Sequence, residues 1–197
     1  MSTDNSELKI AKNNDNVDTN NFGEIEIPES IKIRRDENVI IVEGKTGIVK
    51  KDFTKIPTEI LLEKNKITIK PPGKKRKDIA LINTVKSIIS SMIKGSDIGF
   101  TYKLKIIYSH FPISVKVKGD KVFVENYFGE RSPRISQIIG STTKVKINGE
   151  DVVVSGPSLE YVSQTASNIE KSTKIKNKDQ RVFLDGVYLY SKQEGLE

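Results

Sequence analysis

The chain has no cysteine and no tryptophan, one histidine, and aromatic residues make up only 7% of its 197 positions. Without cysteine there is neither a disulfide framework nor a thiolate metal site. His110 stands at a strand end before Phe111-Pro112, where a packing or ligand-facing side chain is expected rather than a catalytic base. No apolar run approaches the roughly 20 residues of a membrane span. The start lacks the basic and apolar regions of a secretory signal, so a soluble, intracellular protein with no membrane contact is expected.

Motifs for chemistry are missing too. Gly44-Lys45-Thr46 ends like a phosphate-binding loop, but Val39 stands where that loop needs its first glycine, and no helix is expected to follow. Gly44–Gly47 also fits the GxxG of a KH domain, which sits between two helices; here it falls between strands and reads as a turn. Acidic residues are scattered without a paired-carboxylate pattern. Neither an enzyme nor a cofactor is expected.

What is abundant is positive charge. Thirty-three Lys and Arg against 26 Asp and Glu leave a net charge of +7, which favours a polyanionic partner. Residues 1–22 do not carry it: Asp4, Glu7, Asp15 and Asp18 outnumber Lys9 and Lys12 in an Asn-rich stretch poor in apolar residues, expected to be a flexible arm.

The remainder alternates in the way strands do. Ile31–Arg35, Val39–Glu43, Ile48–Phe53, Glu59–Glu63 and Lys66–Lys70 are strand candidates, with turns at Asp36-Glu37 and Lys64-Asn65. After Pro71-Pro72-Gly73, the apolar positions Ile79, Ile82, Val85, Ile89 and Met92 or Ile93 predict a helix over Asp78–Lys94, stopped by Gly95. The second half reads in the same order. An aromatic and β-branched strand opens at Phe100, and Ser114–Lys118 and Lys121–Glu125 flank a Gly119-Asp120 turn. Arg131–Thr143 reads as a loop with two arginines, Arg131 and Arg134. Thr142–Ile147 and Glu150–Ser155 then flank a turn at Asn148-Gly149. Gly156-Pro157 opens a helix capped by Ser158, running to about Thr173 with Leu159, Val162, Ala166 and Ile169 inward. FLDGVYLY closes as a short strand.

Matching features recur about 80 residues apart: Ile27-Pro28 with Phe111-Pro112, Gly47 with Gly129, Asn65 with Asn148, Ile88 with Ile169. The expected fold is therefore α+β: two tandem duplicated domains, each a small, mostly antiparallel sheet with one helix packed on a face. Residues 23–97 form the first domain and 98–197 the second.

Two basic clusters suit phosphate contacts, which supply affinity without reading sequence. Lys74, Lys75, Arg76 and Lys77 follow the Pro-Pro-Gly break on an exposed loop. Lys174, Lys176, Lys178 and Arg181 follow the second helix, expected near Tyr127, Phe128 and Arg131. Flat side chains beside cations suit unpaired bases and the shape of an RNA stem. A free single-stranded RNA-binding module or regulator using Tyr102, Tyr108 or Tyr127 as base platforms is the alternative.

The stretches GFTYKLKIIYSHFPISV (Gly99–Val115), ENYFGER (Glu125–Arg131), VSGPSLEYVSQTASNIE (Val154–Glu170) and NKDQRVFLDGVYL (Asn177–Leu189) resemble the universal large-subunit ribosomal protein family conventionally numbered six, in its archaeal and eukaryotic form. With the first half, the resemblance spans about Gly23–Ser191. It implies two similar domains arisen by duplication and a structural, non-catalytic protein of the cytoplasmic ribosome. It also implies binding to large-subunit ribosomal RNA near the sarcin–ricin loop, beside neighbouring ribosomal proteins and close to where translation GTPases dock. The second copy is the main RNA-binding unit in this family, which makes Gly156, Lys174, Lys176, Lys178 and Arg181 the leading contacts. The loop commonly Gly-Pro-basic-Gly in relatives is Gly44-Lys45-Thr46-Gly47 here, and loss of its proline is expected to loosen the turn.

Overall fold

The computed structural model describes residues 23–63, 65–73, 75–179 and 181–196. The arm at 1–22, Lys64 of the Lys64-Asn65 turn, and Lys74 lie outside them. Among the described residues, two α-helices and four small antiparallel sheets make an α+β fold. Short runs of Ile and Val alternating with Lys and Glu form the strands, since β-branched side chains fit one buried face of a pleated sheet.

In the first half, β2 (Lys32–Asp36), β3 (Val39–Glu43) and β4 (Ile48–Asp52) make one meander. β1 (Glu24–Glu26), β6 (Lys66–Lys70) and β5 (Glu59–Leu62) make a second sheet, in that order. The helix α1 (Arg76–Asp97) packs on both. The second half repeats the scheme. β8 (Ser114–Lys118), β9 (Lys121–Glu125) and β10 (Arg134–Gln137) form the meander. β11 (Lys144–Asn148), β12 (Asp151–Gly156) and β7 (Phe100–Ile107) form the second sheet, covered by α2 (Leu159–Ser172). One strand has no counterpart: β13 (Gly186–Glu194) pairs antiparallel along the outer edge of β7. The topology is thus a duplication with one added strand.

Each half has its own core. Val42, Ile67, Ile82, Val85 and Ile89 are buried in the first, Leu104, Val122, Val152, Val154, Val162 and Ile169 in the second. Each such side chain contributes about 1.5–3 kcal/mol through burial. No helix among the described residues is long and apolar enough to cross a membrane.

Five local expectations need correction. Gly95 does not stop α1, which continues to Asp97; the left-handed residue that ends it is Gly99 at φ +78°. Gly95 is instead where α1 touches the turn before α2, too close for any side chain. The 148–151 hairpin turns at Gly149-Glu150, one residue later than expected, with Asn148 paired to Asp151. That register sets Val145 against Val154 and Ile147 against Val152, so apolar pairing decides over the Asn-Gly turn signal. The first hairpin shifts likewise, Asp36 pairing with Val39 across Glu37-Asn38. Finally, 131–143 is not loop throughout: Arg134–Gln137 pairs with β9 as β10. Ser158 is the N-cap residue of α2, but its hydroxyl makes no bond to the first turn.

Candidate nucleic-acid interface

The expected basic residues fall into two places. Lys75, Arg76 and Lys77 are exposed at the N-terminus of α1. Positive charge is unfavourable there, because the helix dipole already concentrates positive potential at that end. Asp78 offsets part of it, its carboxylate accepting the Lys75 N–H at 3.1 Å. The opposite end of α1 is the one that meets the second half, so this cluster stands about 30 Å of helix away from it.

The other cluster is built by the segment after α2. Tyr127 is buried and donates its hydroxyl to the Thr173 carbonyl at 2.6 Å; burial pushes the phenol up from its ordinary range. The Arg134 guanidinium lies 4.1 Å from the Tyr127 ring centre and donates to the Ser172 carbonyl at 2.9 Å. It also bridges to Glu130 at 2.6 Å and holds that carboxyl below the usual range. These bonds fasten the residues following α2 against the turn Tyr127–Gly129. Arg131 follows that turn in sequence, Lys174, Lys176, Lys178 and Arg181 follow the fastened residues, and all five are exposed. Arg181 is engaged by Asp179 at 3.0 Å; Lys178 places its Nζ 5.4 Å from the Phe128 ring and 5.0 Å from Phe183.

Gly156 stands apart from this surface. It is buried at the end of β12, where a Cβ would lie 3.1 Å from Val162, so a close helix–strand approach accounts for it. Tyr102 and Tyr127 are buried as well, which removes two of the three tyrosines that a free single-strand binder was expected to use. The Gly44–Gly47 loop is not loose. Thr46 donates its hydroxyl to the Gly95 and Ser96 carbonyls at 2.6 and 2.8 Å, and its N–H to Ser96 at 3.0 Å, satisfying open carbonyls at the end of α1.

Asp185 is the functional-looking residue that sequence reading missed. It is fully buried, accepting the Ser109 N–H at 2.6 Å, the Ser109 hydroxyl at 3.0 Å, the His110 N–H at 3.3 Å and the His110 Nδ1–H at 3.0 Å. Burial pushes the carboxyl up, but these bonds outweigh it and leave the group below the ordinary carboxylate range. In the sequence, Asp185-Gly186 looks like an ordinary break before a strand.

Residues 111–186 match the family model described as Ribosomal protein L6. A large ribosomal subunit protein uL6 from Methanosphaera stadtmanae is 45% identical over 174 residues, 88% of this chain and 95% of the relative. The one from Staphylothermus marinus is 45% identical over 172 residues, covering 86% and 93%. That of Methanococcus vannielii is 40% identical over 169 residues, covering 86% and 92%. With two cores in tandem, the repeated topology and this similarity along most of its length, the chain belongs to the ribosomal protein uL6 family.

Proposed function

We propose that the chain is a structural constituent of the large ribosomal subunit, not an enzyme, working in the cytoplasm within the ribosome. It holds large-subunit ribosomal RNA near the sarcin–ricin loop, beside neighbouring ribosomal proteins and the region where translation GTPases dock. The working units are residues 23–97 and 98–197, the second carrying the main RNA contact. The observation that carries this reading is the exposure of Arg131, Lys174, Lys176, Lys178 and Arg181 on the segments that follow the Tyr127–Gly129 turn and the Thr173 carbonyl bonded to it, on a fold whose relatives are ribosomal. Cations that displace the counterions condensed on phosphates give salt-sensitive affinity, while the two cores hold them on a rigid frame. Lys75, Arg76 and Lys77, set against the helix dipole, form a second phosphate contact; Lys74 belongs to the same run in sequence.

The test is a salt titration of binding to a sarcin–ricin stem-loop RNA against an unstructured RNA of equal length. The wild-type chain prefers the stem-loop at physiological salt. Neutralising Lys174, Lys176, Lys178 and Arg181 together weakens binding and flattens the slope of log K against log salt by about 0.7–0.9 per lost phosphate contact. An unchanged slope removes the contact from this segment.

A further inference from the structure

Beside the basic segment lies a stack of flat side chains. The His110 ring sits on Phe183, centroids 4.8 Å apart and planes tilted by 31°. Phe183 meets Phe128 edge-on at 5.8 Å, and Phe128 meets Tyr127 edge-on at 4.6 Å. Lys178 hangs over both phenylalanine rings. The outermost plate is His110, whose side chain keeps 35% of its surface in solvent, while Phe111 beside it is 44% exposed.

Two features show that this stack is held in place at a cost. Phe128 has φ +51°, between Asn126 at +59° and Gly129 at +73°. Left-handed backbone is rare for a bulky residue, and such strain gathers at functional positions. Second, Asp185 spends a fully buried carboxylate on fixing residues 109 and 110. An acceptor-only carboxylate requires a proton on His110 Nδ1, so in the neutral ring Nε2 is the acceptor nitrogen.

We propose that His110 is the stacking plate for an unpaired nucleotide of the bound RNA, with Phe183 and Phe128 behind it and Lys178 reaching the nucleotide's phosphate. The proposal rests on the RNA-binding reading above and assigns it a base contact in addition to the phosphate contacts. Stacking on an aromatic face is tolerant of base identity, and Nε2 accepts from an exocyclic amine or a 2′-hydroxyl at its edge.

The test uses the full chain and a large-subunit ribosomal RNA transcript. His110→Gln removes the ring but keeps an amide donor for Asp185. It is expected to weaken binding about tenfold with the salt slope unchanged, because stacking releases no counterions. Lys178→Ala lowers the slope by roughly one phosphate. His110→Gln binding like wild type, or lowering the slope as Lys178→Ala does, overturns the stacking role. A wild-type chain with no preference for the transcript over a generic polyanion overturns the RNA reading itself. Ultraviolet cross-linking of the unmodified chain adds a readout independent of any variant's folding. A nucleotide joined to the peptide containing His110 is expected, and cross-links confined to other peptides overturn the proposal.

Discussion

Gly95 faces Pro157 so closely that a Cβ on it would lie 2.0 Å from the Pro157 carbonyl oxygen and 2.8 Å from the Phe100 ring. This is where the first helix meets the entrance of the second, so the join between the halves is made by backbone against backbone.

Gly95→Ala is therefore expected to destabilise the protein. Alanine in a helix interior gains about 1 kcal/mol over glycine in propensity. The clash with a carbonyl and an aromatic ring costs about 3 kcal/mol, at the upper end of overpacking, and wins. Urea denaturation of the variant should show a lower midpoint; an unchanged or raised midpoint would mean the halves can slide apart without loss.

Two contacts beside the same join, one within the first half and one across it, should differ in weight. Thr46→Val removes a hydroxyl that serves two carbonyls at the end of α1 and is expected to cost about 1–2 kcal/mol. Lys51 and Glu160 do bridge the halves, but Glu160 is 60% exposed, so Lys51→Ala should cost no more than about 1 kcal/mol and less in high salt. Paired denaturation curves at low and high salt decide this, and equal losses in both variants would refute the ranking.

Asp185 gives the fold a defined acid sensitivity. Its folded pKa lies below the ordinary 3.8, so the stability it confers is complete above that value and is lost as pH falls through the lower, folded one. Asp185→Asn should lose about 2 kcal/mol at pH 7, the worth of hydrogen bonds to a buried charge. Its thermal midpoint should then fall less steeply than wild type on acidification below about pH 4. Parallel curves for the two proteins in thermal melts from pH 7 to pH 3 would show that other carboxylates carry the acid response. Asp52, Glu130 and Asp179 are lowered too, yet they sit nearer solvent.

Much of this architecture was legible from local pattern. Val39–Glu43 and Lys66–Lys70 alternate so regularly that their bounds follow from the sequence alone. The inward stripe of α2 is likewise visible in Val162, Ala166 and Ile169. Where reading failed, the deciding contact came from far along the chain. Gly95 looked like a helix stop because nothing local reveals Pro157, and the hairpin at Gly149 was set by valine pairing that a turn dipeptide does not encode. The candidate interface divides the same way. Its cations stand out by composition, whereas the His110–Asp185 pair spans 75 positions and consists of residue types that are unremarkable alone. Gly156 shows a further limit, because a glycine needed for close packing reads the same in sequence as one needed by a ligand.

The added strand β13 has a consequence for the order in which a ribosome would deliver this chain. Phe183, Asp185 and β13 emerge after every other element described, yet they supply the middle of the ring stack, the carboxylate behind it and the closing edge of the second sheet. A nascent chain can complete its first core while the ring stack and the edge of its second sheet are still unfinished. A product cut short before Phe183 would keep the cations and their anchors at Tyr127 and Arg134 but lack the middle of the ring stack, the carboxylate behind it and the closing strand.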